Sequence, residues 1–108
     1  MPKGGKMMGP MMDPRSRFFM ALASDQRLKI LELLKDGEKG TSEIIESLGL
    51  DSSVVSRHLM LLRNFGLVNA RKEGVNLFYT LADKRVLDII EIATQIIKDW
   101  FKKHQNYL

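Results

Sequence analysis

The stretch that decides the fold runs from Thr41 to Val68 and reads TSEIIESLGLDSSVVSRHLMLLRNFGLV. Its first part carries apolar residues at helical spacing, with Thr41 as the expected cap, and it closes at Gly49. Asp51 then stands where an aspartate favours the start of a new helix, which we expect over residues 52–65. Two short helices joined by a tight turn that contains glycine predict a helix-turn-helix motif.

The second of these helices has two different faces. Helical spacing places Val55, Leu59 and Leu62 on one side, where they would face a core. The side chains on the other side are short or basic, and no acidic residue occurs between positions 52 and 72. Small hydroxyl side chains allow close approach to DNA, and an arginine reaches guanine or phosphate. An ordinary solvated face is the alternative, but such a face would usually mix acids with the bases. The residues of this side are Ser52, Ser53, Ser56, Arg57 and Met60.

After Gly66 the apolar pattern changes from helical to strand-like. Two strand-prone runs, 67–72 and 75–81, are joined at Glu73-Gly74, where glycine can adopt the positive φ of a hairpin turn. A basic hairpin directly after a recognition helix indicates a wing laid along the DNA backbone, although a basic tip is also simply soluble. The residues that flank the tip are Arg71, Lys72 and Asn76.

The chain before this motif has two parts. Residues 1–13 combine glycines, prolines and methionines, which predicts a flexible tail. The clustered thioethers could bind a soft ion such as Cu(I), or pack adaptably against a neighbouring helix. We expect residues 14–108 to form one domain, which begins with a short aromatic helix and continues with a second helix that Ser24 or Asp25 caps.

A long helix is expected from Asp83 to about Lys103. Its apolar residues spread over an arc of roughly 220°, whereas a helix with one side on a small core needs a stripe of about 100°. A chain of 108 residues has little left to cover the excess, so we expect a two-fold dimer through this helix and the first one. The alternative is a monomer with the helix deep in its own core; mixed charges on the polar face disfavour a membrane-surface helix. The expected interface residues are Phe18, Phe19, Ile89, Ile90, Ala93, Ile97, Trp100 and Phe101.

Composition narrows the classes of function. The absence of cysteine excludes disulfides, thiolate catalysis and cysteine-based zinc sites. The two histidines are far apart and no glycine-rich phosphate loop occurs, so we expect neither an enzyme nor a resident metal or cofactor. A net charge of +4 favours a polyanionic partner. With no apolar run near the roughly 20 residues of a membrane span and no secretory signal, the expected location is the cytoplasm.

Three segments together resemble the ArsR/SmtB repressors. The run FMALASDQRLKILELL at 19–34 is similar to the opening helix pair of that family. Residues 50–68 resemble its recognition helix and exit, and residues 71–74 with 78–81 resemble its wing. The resemblance implies a mainly α fold with a small β-hairpin wing, that is, a winged helix-turn-helix. It also implies a homodimer that represses transcription from an inverted-repeat operator in double-stranded DNA and is released by an effector.

Carried over position by position, the resemblance assigns the DNA contacts. Ser53 and Ser56 match DNA-contacting serines of the family, and Arg57 matches a polar position that faces DNA. His58 matches a histidine beside the helix-turn-helix packing and is more readily structural than base-reading, while Arg63 is placed to touch phosphate. The full set of expected contacts is Thr41, Ser52, Ser53, Ser56, Arg57, His58, Arg63, Arg71, Lys72 and Asn76.

Departures from the family pattern affect base reading and metal sensing. Ser52 replaces a frequent base-reading glutamine, and Asp51 is expected to cap the helix because phosphate repels a carboxylate. The thiolate pair of the arsenic, lead and cadmium sensors falls at Gly40 and Ser42, which cannot bind such ions.

The ligand positions of the zinc-type sensors are also incomplete. Asp83 and Asp99 stand at two carboxylate positions, but the histidine positions hold no imidazole, which leaves a poor transition-metal site. We expect Asp83 to cap the last helix and Asp99 to pair with Lys102 or Lys103. No metal site is therefore expected, and the sequence names no effector.

Three other functions stay open at this point. The chain could be an architectural DNA binder with little sequence preference, or a winged-helix module for protein interaction. It could also sense copper or another soft metal through the methionine-rich tail. The sequence identifies neither the operator nor the regulated genes, and it does not separate repression from activation.

Overall fold

Five helices and three short strands make up residues 12–105, which are the part of the chain that this computed structural model describes. The helices are mostly short, and the third and fourth of them contact a small sheet. The tail predicted for residues 1–13 lies, apart from its last two residues, outside the described part. In chain order the elements are α1 Pro14–Leu22, α2 Asp25–Leu33, a 3₁₀ turn Leu34–Asp36, β1 Lys39–Gly40, α3 Thr41–Leu48, α4 Ser52–Asn64, β2 Val68–Glu73, β3 Asn76–Leu81 and α5 Arg85–Lys103.

The helix ends follow the local sequence. Ser24 caps α2, because its hydroxyl accepts a hydrogen bond from the Arg27 amide at 3.3 Å. Gly49 ends α3 in the left-handed conformation at φ +66°, and its amide donates to the Ile45 carbonyl at 2.9 Å. Glycine is favoured there because other residues adopt this conformation only at a cost. The turn that the motif requires is therefore encoded in one residue.

Thr41 does not cap α3, so that expectation is wrong. Gly40 occupies the cap position, and its amide donates to Glu43 Oε1 at 2.8 Å. The Thr41 hydroxyl instead donates to the Leu77 carbonyl at 3.2 Å and ties α3 to β3. The helix start is thus satisfied by an acid in its first turn, where the helix dipole also favours negative charge.

The core lies where α2, α3 and α4 meet the sheet. The inward side of α4 is as predicted, since Val55, Leu59 and Leu62 are fully or almost fully buried. Burial of aliphatic side chains on both sides of the α3–α4 turn fixes the angle between the two helices. The other members of the core are Ala21, Ile30, Leu31, Leu34, Ile44, Leu67, Val68, Tyr79 and Val86.

The sheet is antiparallel with strand order β1-β3-β2. Val68 lies opposite Leu81, and the hairpin turns through Gly74-Val75, one residue later than the sequence indicated. The strand β1 was missed, because Lys39 and Gly40 read as a polar loop; Gly40 lies opposite Phe78. A Cβ atom on Gly40 would stand 3.3 Å from the Phe78 ring, so a larger residue at this position would require the ring to shift by a few tenths of an ångström.

The last helix begins two residues after the predicted start, at Arg85. The cap position is Lys84, which makes no side-chain capping hydrogen bond, and not the expected Asp83. Asp83, one residue earlier, still contacts the helix start, since its Oδ1 accepts from the Arg85 amide at 2.9 Å. Hydrogen bonds from the Arg85 guanidinium and amide lower the pKa of Asp83 to about 2. The pair expected at Asp99 does not form: over residues 12–105 neither Lys102 nor Lys103 makes an ion pair with it.

Most of α5 does not lie on the core of its own chain. Val86 is its one buried residue among those described. Ile92 is 60% exposed, Ile96 is 63% exposed and Trp100 is 51% exposed. The alternative in which this helix is buried in its own monomer is therefore wrong, and an apolar face stands uncovered.

Candidate nucleic-acid interface

The outer face of α4 is an exposed surface of the helix-turn-helix. Because Val55, Leu59 and Leu62 are buried, the opposite side of a 3.6-residue helix has to face solvent. The predicted contact residues of this side are all exposed, and Met60 keeps 58% of its surface. The structure thus brings together on one face Ser52, Ser53, Ser56, Arg57 and Met60.

The first turn of α4 is open toward the same side. Asp51 stands at the cap position, but its carboxylate makes no capping hydrogen bond, which corrects the expected side-chain role. Its carbonyl accepts from the amides of Val54 and Val55, both at 3.1 Å. Within the first turn of α4 itself no residue is acidic, so Asp51 at the cap position is the one carboxylate beside this end of the helix in the described part of the chain.

Charge on this surface comes from side chains without a partner. Arg57, Arg63 and Lys72 are exposed, and none of them makes an ion pair with another described residue. Arg57 lies on the outer face of α4, and Arg63 lies in its last turn. Unpaired cations at the surface are the groups that neutralise DNA phosphates.

His58 faces inward from this surface toward α2. Its Nδ1 atom lies 3.2 Å from Nη1 of Arg27, which can only donate, so the proton of the neutral ring is on Nε2. Burial lowers the pKa of His58, and the positive charges of Arg27 and Arg57 lower it further. Arg27 also donates to the carbonyls of Ala21 and Met20, at 2.7 and 3.1 Å. This geometry favours a packing role for His58 that joins α1, α2 and α4.

The wing, formed by β2, β3 and the turn Gly74-Val75, is anchored by Arg71. Its guanidinium donates to both carboxylate oxygens of Glu38, at 2.8 and 2.9 Å, and lies 4.8 Å above the Phe78 ring. These hydrogen bonds raise the pKa of Arg71 and lower that of Glu38. Glu73 accepts a further hydrogen bond at 3.3 Å. Arg71 is thus paired with protein acids while about half of its side chain stays exposed, and the other exposed polar residues near the tip are Lys72, Glu73 and Asn76.

Two supporting residues were missed by the sequence analysis. Glu38 reaches Arg71 across 33 positions of sequence, and Arg27 reaches His58 across 31. The periodicity of the sequence does not indicate either pair, because each contact depends on how two separate elements pack against each other. The strand β1 brings Glu38 next to the wing. A strand of two residues is too short to show an alternating pattern in the sequence.

Metal-ligating side chains do not gather in the described part of the chain. No group of three or more His, Asp or Glu residues lies close enough to hold an ion within residues 12–105. Asp83 is engaged with Arg85, as described above. None of the helices in this same range has the length and apolar character needed to cross a bilayer.

A helix-turn-helix with an acid-free outer face, followed directly by a β-hairpin, defines a winged helix-turn-helix protein. The family model described as "bacterial regulatory protein, arsR family" matches residues 24–70. The chain belongs to this family, as the resemblance of its three segments implied. It is therefore a DNA-binding transcriptional regulator and not an enzyme.

Individual relatives agree with this assignment. The chain is 39% identical over 87 residues to a probable mercury resistance operon repressor of Streptomyces lividans, covering 81% of this chain and 70% of the relative. It is 44% identical over 76 residues to the transcriptional activator HlyU of Vibrio cholerae, covering 70% of each.

A solved structure shows the same fold in a relative of known assembly. It is the solution structure of a homodimeric winged helix-turn-helix DNA-binding domain of Mycobacterium bovis, titled a possible ArsR-family transcriptional regulator. The TM-score is 0.71 at 34% identity, with 85% of this chain and 84% of that chain covered. The fold class predicted from the sequence is confirmed.

Proposed function

We propose that this regulator is a repressor that binds an inverted-repeat operator in double-stranded DNA as a homodimer. One observation carries the proposal: the outer face of α4 presents three serines and an unpaired arginine, with no acid from position 52 to 72. Ser53 and Ser56 would approach the base edges, and Arg57 would bind guanine or phosphate. Occupation of a promoter by the dimer would then block polymerase.

The wing has a more limited role in this proposal than the sequence suggested. Lys72 and Asn76 would contact the backbone beside the major groove, since both are exposed at the tip. Arg71 would act through the wing's position, because its guanidinium is bonded to Glu38. Thr41 and His58 would likewise support the motif, through Leu77 and Arg27 respectively.

The uncovered apolar face of α5 supports the dimer. The exposed side chains Ile92, Ile96 and Trp100 run along it, and an apolar groove of about 270 Å³ lies between α5 and α1. A second copy that packs on this face would bury it symmetrically. The predicted interface residues that line the groove are Phe19, Ile89, Ile90, Ala93 and Ile97. The Mycobacterium bovis relative is described as homodimeric, which supports a dimer of this chain as well.

A two-fold dimer makes a geometric demand on the operator. Two recognition helices that enter successive major grooves lie about 34 Å apart, one turn of the double helix. The operator would therefore be an inverted repeat with half-site centres about 10 base pairs apart. Because the DNA is the partner, the proposal includes a cytoplasmic location.

Selection of bound DNA from a random pool tests the proposal. With the purified full chain, we expect recovery of a palindrome and a steep loss of affinity as salt rises. Recovery of unrelated sequences with equal affinity would contradict it and favour an architectural DNA binder. Absence of any binding at low salt would also contradict it and favour a protein-interaction module.

Repression is tested separately from binding. A reporter gene placed behind the selected operator should be expressed less when the chain is present, and Arg57→Ala should restore expression. Increased expression would contradict repression and indicate that the chain is an activator. The Vibrio cholerae relative is named as an activator.

A further inference from the structure

A basic cavity lies beside the proposed DNA-binding face, between α1, α2 and α4. Its volume is about 650 Å³, which is the size of a small-molecule site. Three arginines line it, one from each helix: Arg17, Arg27 and Arg57. No acidic side chain is among its lining residues in the described part of the chain. The cavity therefore concentrates positive charge without a protein anion to balance it.

The side chain of Arg17 contains an unsatisfied hydrogen-bond donor. Its Nε atom is buried and has no hydrogen-bond partner among the described residues. Its guanidinium carbon lies 5.5 Å from the centre of the Phe65 ring, so the ring holds the group in place. A buried N–H without an acceptor is unfavourable, so Arg17 is held in this position without a compensating protein contact at Nε.

Three apolar side chains, Met60, Leu61 and Phe65, lie next to the arginines. The polar residues His58 and Asn64 complete the lining. A guanidinium group matches the two oxygens of a carboxylate, and an apolar floor suits a flat hydrocarbon body. We propose that this cavity binds a small aromatic carboxylate, with its carboxylate on Arg17 and Arg57 and its ring against Phe65 and Leu61.

The position of the cavity connects it to the regulator's output. Arg57 lines the cavity and also stands on the outer face of α4, so one side chain would serve both ligands. An anion that engages Arg57 therefore lowers the affinity for DNA, and DNA lowers the affinity for the anion by the same factor. This link rests on the proposed function, whereas binding of the carboxylate does not.

Calorimetric titration of the full chain with benzoate, without DNA, tests the site itself. We expect saturable binding, weaker binding of uncharged benzamide, and weaker binding of inorganic phosphate, which lacks the ring. Arg17→Met should weaken benzoate binding about tenfold, since it removes a charge-assisted contact. Arg15→Met is the matched control, because it removes the same charge from the same helix outside the cavity, and it should leave binding unchanged.

Three outcomes would overturn the site: absence of saturable benzoate binding, equal loss in both variants, or phosphate binding as tightly as benzoate. If Arg17→Met does not fold, backbone amide NMR of the unmodified chain decides the question. Benzoate should then shift the resonances of residues around Arg57, His58 and Phe65, and shifts centred elsewhere would contradict the assignment.

Measurements of DNA affinity distinguish a carboxylate-binding cavity from a surface that contacts DNA phosphate. Arg17→Met should leave the salt dependence of DNA affinity unchanged, and saturating benzoate should weaken DNA binding by the unmodified chain. A salt slope reduced by about one would make the cavity a DNA phosphate contact and overturn the proposal. Unchanged DNA affinity at saturating benzoate would refute the link, and failure to bind any DNA would refute the proposed function while the benzoate result stands.

Discussion

Replacement of Trp100 by alanine tests whether a second copy covers α5, and its magnitude follows from the structure. Trp100 keeps 51% of its surface exposed. Since a tryptophan buries up to about 150–250 Å², about 75–125 Å² is available to a partner. At about 25 cal/mol per Å², full coverage gives about 2–3 kcal/mol per protomer. A two-fold dimer contains two copies of Trp100. If the partner covers only half of the exposed area of each copy, the loss on replacement is still about 2–3 kcal/mol per dimer, which raises the dissociation constant about 30- to 150-fold.

Sedimentation equilibrium over a range of protein concentrations measures this change. Trp100 also stacks on His104 at 4.3 Å, so the unfolding transition of the variant has to be followed alongside. Ile96→Ala is a second variant, because Ile96 is 63% exposed on the same helix. Met60→Ala removes a similarly exposed apolar side chain from α4 and should leave the dimer unchanged. Folded Trp100 and Ile96 variants that dimerise as tightly as the unmodified chain would refute the reasoning.

Three further predictions concern the DNA interface and its supports. Arg57→Ala should weaken binding to the selected operator and lower the slope of log affinity against log salt by about one, measured by fluorescence anisotropy. Lys72→Ala should lower that slope too. Arg71→Ala should leave the slope unchanged and loosen the wing, which would be seen as faster amide exchange in β2. A lower slope for Arg71→Ala would contradict the supporting role of Arg71. His58 should titrate below pH 6.5 by NMR. Because the folded chain binds this proton more weakly than the unfolded chain, the free energy of unfolding should fall as the pH falls below 6.5. No change would contradict the partly buried contact with Arg27.

The parts of the fold that could be predicted from sequence are those with a local signal. The inward face of α4 follows from the 3.6-residue spacing of Val55, Leu59 and Leu62, and the turn before it follows from Gly49. The excess apolar arc of α5 was also visible in the sequence, and the exposure of Ile96 agrees with it. Each of these features depends on residues within one element.

The parts that could not be predicted depend on contacts between distant elements. The ion pair of Arg71 with Glu38 could not be predicted, because Glu38 precedes a two-residue strand that has no periodicity. Thr41 appeared to be a cap, because the acid three residues after Gly40 satisfies the helix start from inside the helix. In neither case does the local sequence pattern identify the group that the residue contacts.

Absence of cysteine allows a direct measurement of the distance between the two recognition helices. A single Ser53→Cys substitution gives the chain one thiol, and a spin label on it reports the distance between copies by pulsed electron resonance. For a dimer joined along α5, the labels on the two α4 helices should lie near the roughly 34 Å that separates successive major grooves. A dominant distance far from this value, or no dipolar coupling at concentrations where sedimentation finds a dimer, would contradict the account.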